Sequence, residues 1–299
     1  MNELTTLERR AMARLLTPGG RMLIVAADQR NSMKAVMTDA PDGSVTTDQL
    51  ADAKRDIVTH LANHGPAILL DPEVALPQVV DEAVLSADTA LVVGMDASGF
   101  EVVDGLRYTG YVPGVTPRTV RDLGGDVAKM LFYLRPDQQD LTSPVASQVR
   151  ELVEACAAEG LLLIVEVLTY RLESETDEEY RQIFPTLISE AARFCVAAGA
   201  KVLKLPYPGS AEGSAAVTEA AEGVPWAVLS AGVDHGTFLQ QIETAVANGA
   251  MGAMAGRSLW KDSLAVSAQT RASLLTSRAL PRLRELRAVL DGAPTGSQA

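Results

Sequence analysis

A strand-then-helix unit repeated eight times and closed into a (β/α)8 (TIM) barrel is the fold this sequence predicts. Three observations carry the prediction. Short runs of Val, Ile, Leu and Ala recur along the chain, each is followed by a segment of helical periodicity, and no Pro/Gly/Ser-rich linker interrupts the series. Apolarity within the runs is continuous rather than alternating, which suits parallel strands covered on both faces. A doubly wound open sheet would show only about five or six such units.

The first strand is MLIVAA (22–27), and the helix after it covers 48–64. AILL (67–70) precedes a helix over 72–86, ALVVGM (90–95) one over 116–124, and KMLFYL (129–134) one over 144–159. The fifth strand, LLLIVEVL (161–168), leads into 176–199, and the sixth, KVLKL (201–205), into 213–222. WAVLSA (226–231) is followed by 236–248. The last strand, GAMAG (252–256), is followed by a long helical stretch over 266–290 with Leu at 274, 275, 280, 283, 286 and 290. The expectation is a single domain spanning 1–299, with only the tail DGAPTGSQA, from about 291, frayed.

Composition narrows the function. A hydrophobic content of 47% with 21% charged residues supplies a large core. A formal charge of −12 opposes phosphate-backbone binding, so nucleic acid is excluded as a partner. No run approaches the roughly 18 apolar residues of a membrane span, and MNELTTLERRAMARLL mixes acids with its bases and does not read as a signal peptide. Cys156 and Cys195 lie in Ala-rich helical segments without metal-type or CxxC spacing, which fits helix packing in a reducing, cytoplasmic compartment. Base rates for enzymes of this size suggest a homo-oligomer.

In this fold chemistry is built at the C-terminal ends of the strands. Those ends carry Asp28, Gln29 and Arg30; Asp71 and Glu73; Asp96; Arg135; Glu166 with Tyr170 and Arg171; Lys204; Ser230 to Gly232; and Gly256 with Arg257. Lys204, inside KVLKLPYPG, is surrounded by apolar residues, and burial favours the neutral amine that attacks a carbonyl. Lys201 lies at odd spacing from it, so at most one of the two points inward. Lys129 in DVAKMLFYL either enters the barrel or snorkels to its bottom. Glu166 sits in ten largely apolar residues and must pair with a cation or exchange protons, although a purely structural salt bridge competes with that reading. Asp28 and Gln29 can hold substrate hydroxyls or cap the next segment. The turns at Ser230, Gly232, Gly256 and Arg257 suit a phosphate at the seventh and eighth strands, with glycine allowing close backbone approach. His60 and His64 fall at the barrel bottom and His235 stands alone, so neither a metal nor a cofactor is expected.

Seven ordered motifs, AADQRNSMK, LLDPE, AKMLFY, VEVLTY, VLKLPYP, LSAGVD and AGRSLW, resemble the class I tagatose-bisphosphate aldolase family, which includes the sulfofructose-phosphate aldolases. The resemblance implies that Lys204 forms a Schiff base and that Glu166 handles proton transfer. Lys129, Asp28 and Gln29 would line the pocket, and Ser230, Gly232, Gly256 and Arg257 would hold phosphate. The implied reaction is reversible cleavage of a ketohexose 1-phosphate to dihydroxyacetone phosphate and a three-carbon aldehyde. The substrate is tagatose or fructose 1,6-bisphosphate, or 6-deoxy-6-sulfofructose 1-phosphate, with Arg30 and Arg171 as candidate ligands for the distal anion. VEVLTYR looks tagatose-type, whereas ADQRNSM and the compact PYPGSAEGSAA segment look closer to the sulfosugar enzymes. A sugar-phosphate-binding barrel without catalysis is the alternative from another class.

Overall fold

The computed structural model describes residues 3–37, 39–40 and 44–292. Most of the tail expected to fray, from 293 onward, lies outside the described residues. The strands are β1 (Met22–Ala26), β2 (Ala67–Leu70), β3 (Ala90–Gly94), β4 (Glu101–Val103), β5 (Leu106–Tyr108), β6 (Val127–Tyr133), β7 (Leu162–Leu168), β8 (Leu203–Pro206), β9 (Trp226–Leu229) and β10 (Gly252–Ala255). Eight of them close a parallel barrel in the order β1-β10-β9-β8-β7-β6-β3-β2, and β4 and β5 form a separate antiparallel hairpin. The helices are α1 (Thr6–Arg14), α2 (Asn31–Lys34), α3 (Thr47–His60), α4 (Gln78–Asp81), α5 (Pro117–Asp122) and α6 (Pro144–Ala158). They continue with α7 (Asp177–Ala197), α8 (Ala211–Ala220), α9 (His235–Ala247), α10 (Arg257–Trp260), α11 (Ala268–Leu274) and α12 (Leu280–Leu290).

The predicted strands all fall on the eight barrel strands, but two helical expectations need correcting. The stretch 72–86 holds only the short α4, because Pro72 and Pro77 remove donors and Asp71 Oδ1 draws the amides of Glu73 and Val74 into a local turn. The stretch 266–290 is interrupted by a π-helical turn over Leu275–Ala279, immediately before the Pro281 ring must be accommodated.

Two apolar layers follow from strand parity. Leu23, Val25, Ile68, Leu91, Val93, Met130 and Val165 point outward against the helices. Met22, Ile24, Leu69, Val92, Val127, Leu162, Ile164, Val202 and Met254 fill the lower interior. The floor is sealed by α1, whose Ala11 and Met12, with Leu15 just beyond the helix, join that inner cluster. A capping box between Thr5 and Glu8 starts α1, and Glu8 reaches back to Lys201 at 2.7 Å. Closure between β10 and β1 depends on Gly252, where an added Cβ would lie 1.9 Å from the Met22 carbonyl oxygen. Cys156 and Cys195 are buried in the helix layer, where burial pushes both thiols up to about 12, so they pack as neutral groups. No helix among the described residues is long and apolar enough to cross a membrane.

Candidate active site

At the C-terminal end of the barrel, inward parity delivers charge instead of hydrocarbon. On β6 the inward series Val127, Lys129, Leu131, Tyr133 climbs from floor to mouth; on β7 the series is Leu162, Ile164, Glu166, Leu168. Register then sets Glu166 directly beside Lys204 of β8 and beside Leu131 of β6. These side chains open into a cavity of about 530 Å³ that also takes in Asp28, Gln29, Asp96, Ser230, Gly232, Gly256 and Arg257.

Lys204 is 4% exposed and donates to Glu166 Oε2 at 3.0 Å. Lys129 enters the barrel rather than turning to its floor. Its Nζ lies 2.5 Å from the same Glu166 oxygen, 2.9 Å from Asp96 Oδ1 and 3.2 Å from Asp28 Oδ2. Two lysines therefore sit among three acidic side chains, which is how so many ionisable groups are tolerated here: each buried base has an acidic neighbour. Burial alone would raise the Glu166 carboxyl, but Lys129 and then Lys204 outweigh it and hold the group below its ordinary value. Burial likewise opposes ionised Asp28, and Lys129 with Lys204 pulls it down to about 2. For Lys129 burial works against the ammonium, yet Asp96, Glu166 and Asp28 raise its pKa well above the usual lysine value. Lys129 is a fixed cation, and Asp28 and Glu166 are both carboxylates at neutral pH.

The loop after β1 is held by a residue that sequence reading missed. Lys54 of α3 is fully buried and donates to the carbonyls of Ala27 at 2.6 Å and Gln29 at 2.9 Å while pairing with Asp71. Its three bonds fix the backbone on both sides of Asp28, leaving Asp28 Oδ1 and Gln29 Oε1 as buried acceptors without a partner among the described residues. The available signal was a lysine on the apolar face of α3, beside Leu50, Ala53 and Ile57.

Across the cavity, β9 is followed by Ser230, Ala231 and Gly232, and β10 by Gly256 and Arg257. Ser230 Oγ accepts from the Gly256 amide at 3.3 Å and ties the two turns together. Gly232 has φ +84°, and an added Cβ would press on the Arg257 guanidinium at 3.1–3.3 Å. Arg257 has no carboxylate partner among the described residues, so its cation is available to an anion in the cavity.

The structure gives the other candidates different places. Arg30 lines the cavity, but its guanidinium is already engaged by Glu73, by Ser98 Oγ at 3.0 Å and by the Asp96 carbonyl at 2.9 Å. Arg171 pairs with Asp177 at 2.9 Å and bonds nearby carbonyls outside the cavity. Arg135 and Tyr170 also lie outside it: Arg135 clamps Asp137 and Glu175 and donates to the Tyr170 carbonyl at 2.9 Å, tying the loops after β6 and β7. Lys201 is the structural partner of the spacing pair, bound to Glu8 at the floor. His235 pairs with Glu285 at 2.8 Å on the rim of α9. Among the described residues no group of three or more His, Cys, Asp or Glu is placed to hold a metal ion.

Comparison with known proteins gives the same picture. Residues 22–262 match the family described as DeoC/LacD family aldolase. The chain is 25% identical over 317 residues to tagatose 1,6-diphosphate aldolase 2 of Streptococcus pyogenes serotype M1, covering 96% of each. It is 25% identical over 290 residues to the tagatose 1,6-diphosphate aldolase of Lactococcus lactis subsp. lactis, covering 87% of each. Among solved structures, fructose-bisphosphate aldolase of Plasmodium falciparum superimposes with a TM-score of 0.70 at 15% identity and 99% coverage of both chains, which is a likeness of fold.

Proposed function

Because the chain belongs to the DeoC/LacD aldolase family and is thereby an aldehyde-lyase, we propose that it cleaves a ketohexose 1-phosphate bearing a second anion at C6, through a Schiff base on Lys204. Membership of an aldolase family sets aside the non-catalytic binding barrel. The observation that carries the proposal is the pairing of Lys204 with Glu166 at 3.0 Å, side by side in register within the cavity.

The reaction proceeds in five moves. Glu166 takes the proton of Lys204, and the free amine attacks the C2 carbonyl carbon to give a carbinolamine. Loss of water leaves an iminium, an electron sink adjacent to C3. Glu166, having released its proton to the departing water, removes the C4 hydroxyl proton. The C3–C4 electron pair flows into the iminium as the aldehyde departs, leaving the enamine. Protonation at C3 and hydrolysis return the lysine and release dihydroxyacetone phosphate.

Lys129 stays charged throughout and holds Glu166 and Asp28 in place. The unpartnered acceptors of Asp28 and Gln29 suit substrate hydroxyl donors, and Ser230, Gly232, Gly256 and Arg257 suit the C1 phosphate. The names of the relatives favour tagatose 1,6-bisphosphate as the first substrate to assay, with 6-deoxy-6-sulfofructose 1-phosphate beside it. Comparing kcat/KM for the two decides between phosphate and sulfonate at C6.

The mechanism is tested by incubating the protein with dihydroxyacetone phosphate in the presence of chelator, reducing with borohydride and mapping the adduct by peptide mass spectrometry. A stable adduct on Lys204 is expected; labelling of no lysine, or of a different one, defeats the assignment. Gly232→Ala is expected to raise KM roughly tenfold with a smaller change in kcat, since it strains a positive-φ residue and crowds Arg257. Steady-state kinetics with an unchanged KM would remove the phosphate role of that turn.

A further inference from the structure

The reading above leaves the C6 anion without a binding group, because both arginines expected to hold it are already engaged. Resting on that reading, we propose that Arg107, on the β4–β5 hairpin, is the residue that binds the distal tetrahedral oxyanion and selects substrates carrying one.

The hairpin leaves the barrel after β3 and is fixed beside the mouth at Arg107 itself. The Arg107 backbone amide donates to Tyr170 Oη at 2.9 Å. Its guanidinium lies 4.3 Å from the ring centre of Phe100 and 4.7 Å from that of Tyr170, held between two aromatic faces. Tyr133, which lines the cavity, meets both rings edge to face, at 5.1 and 6.1 Å. Ser98 and Gly99, the residues leading into Phe100, line the cavity as well. Arg107 is half-buried and stands behind Tyr133, outside the residues that line the cavity, and among the described residues its guanidinium has no carboxylate or hydrogen-bond partner. Stacking orders the planar fork and leaves its in-plane N–H groups free, the arrangement suited to a phosphate or sulfonate.

Position around the barrel supports the assignment. In the closed strand order, β3 and β6 stand diametrically across from β9 and β10, whose turns offer the other anion site. Lys204 and Glu166 lie on the arc between them. Tyr133 is two residues above Leu131, the register partner of Glu166, which places it about 7 Å nearer the mouth. A ketose anchored by one anion at the β9 and β10 turns and extending over Lys204 would point its other anion past Tyr133 toward Arg107.

The test measures kcat/KM of wild type and Arg107→Met with tagatose 1,6-bisphosphate, with the C6 sulfonate ketose 1-phosphate, and with tagatose 1-phosphate, which lacks a distal anion. The expected result is a loss on the order of 10- to 100-fold for the preferred dianionic substrate, mainly in KM. The loss for the 1-phosphate should be much smaller, so that the preference between them collapses. Should Arg107→Met melt well below wild type, Arg107→Lys carries the same comparison, keeping a cation without the stacked fork and retaining part of the preference. An equal fall on all substrates, or an unaltered preference, overturns the role of Arg107 while leaving the aldolase reading intact. Wild-type protein that cleaves none of the three overturns both.

Discussion

Lys204→Ala is expected to lower kcat for carbon–carbon cleavage by on the order of 10⁴-fold or more, with the melting temperature little changed. The size of the loss follows from removing the group that forms the covalent electron sink, since no neighbour replaces it: Lys129 is directed at Asp28, Asp96 and Glu166 and is held charged by them. The intact fold follows from the same network. Glu166 keeps its 2.5 Å contact with Lys129 after Lys204 is truncated, so no buried carboxylate is left alone. Single-turnover assays with borohydride trapping are the check. Residual activity within tenfold of wild type would move the nucleophile elsewhere.

Glu166→Gln separates proton transfer from covalent chemistry. The amide is close in size and cannot accept a proton usefully, so turnover should fall by about 10²–10⁴-fold, the range for a positioned acid–base group. Lys129 would retain Asp28 and Asp96, while Lys204 loses its carboxylate partner and keeps only the new amide oxygen as an acceptor, so a fall in melting temperature accompanies the loss of turnover. Slow borohydride trapping on Lys204 should survive in this variant while cleavage does not. If cleavage proceeds at the wild-type rate, the proton leaves by another route and Glu166 serves only to neutralise the two lysines.

What could be read from the residues divides along physical lines. Buried parallel strands write themselves as unbroken apolar runs, so all eight barrel strands were visible, and a charge inside such a run, as at Lys129, Glu166 and Lys204, demanded an explanation. Register was beyond local pattern: nothing in VEVLTY or VLKLP states that Glu166 stands level with Lys204, because interstrand pairing is set by the closure of the whole barrel. Arg30 and Arg171 failed as free cations for the same reason, since their partners Glu73 and Asp177 become neighbours only in the folded loops. Two elements were overlooked despite legible signals. The Asp104–Gly105 pair, both at positive φ, is the turn chemistry of a two-residue hairpin between EVV and LRY. Thr5 and Glu8 form the capping box that starts α1.

The seam at Gly252 has a consequence for how the protein comes into being. Asp28 follows the first barrel strand, while Arg257 follows the last, and the two meet only when β10 docks beside β1. A nascent chain that has emerged only as far as β9 would carry two unpaired sheet edges and half of an anion site, exposed for as long as synthesis of the final strand takes. Maturation of the pocket is thus a late, long-range event in the life of each molecule. Any side chain at position 252 would obstruct that event at its closing contact, so such variants should accumulate as aggregates during expression rather than as folded but inactive enzyme.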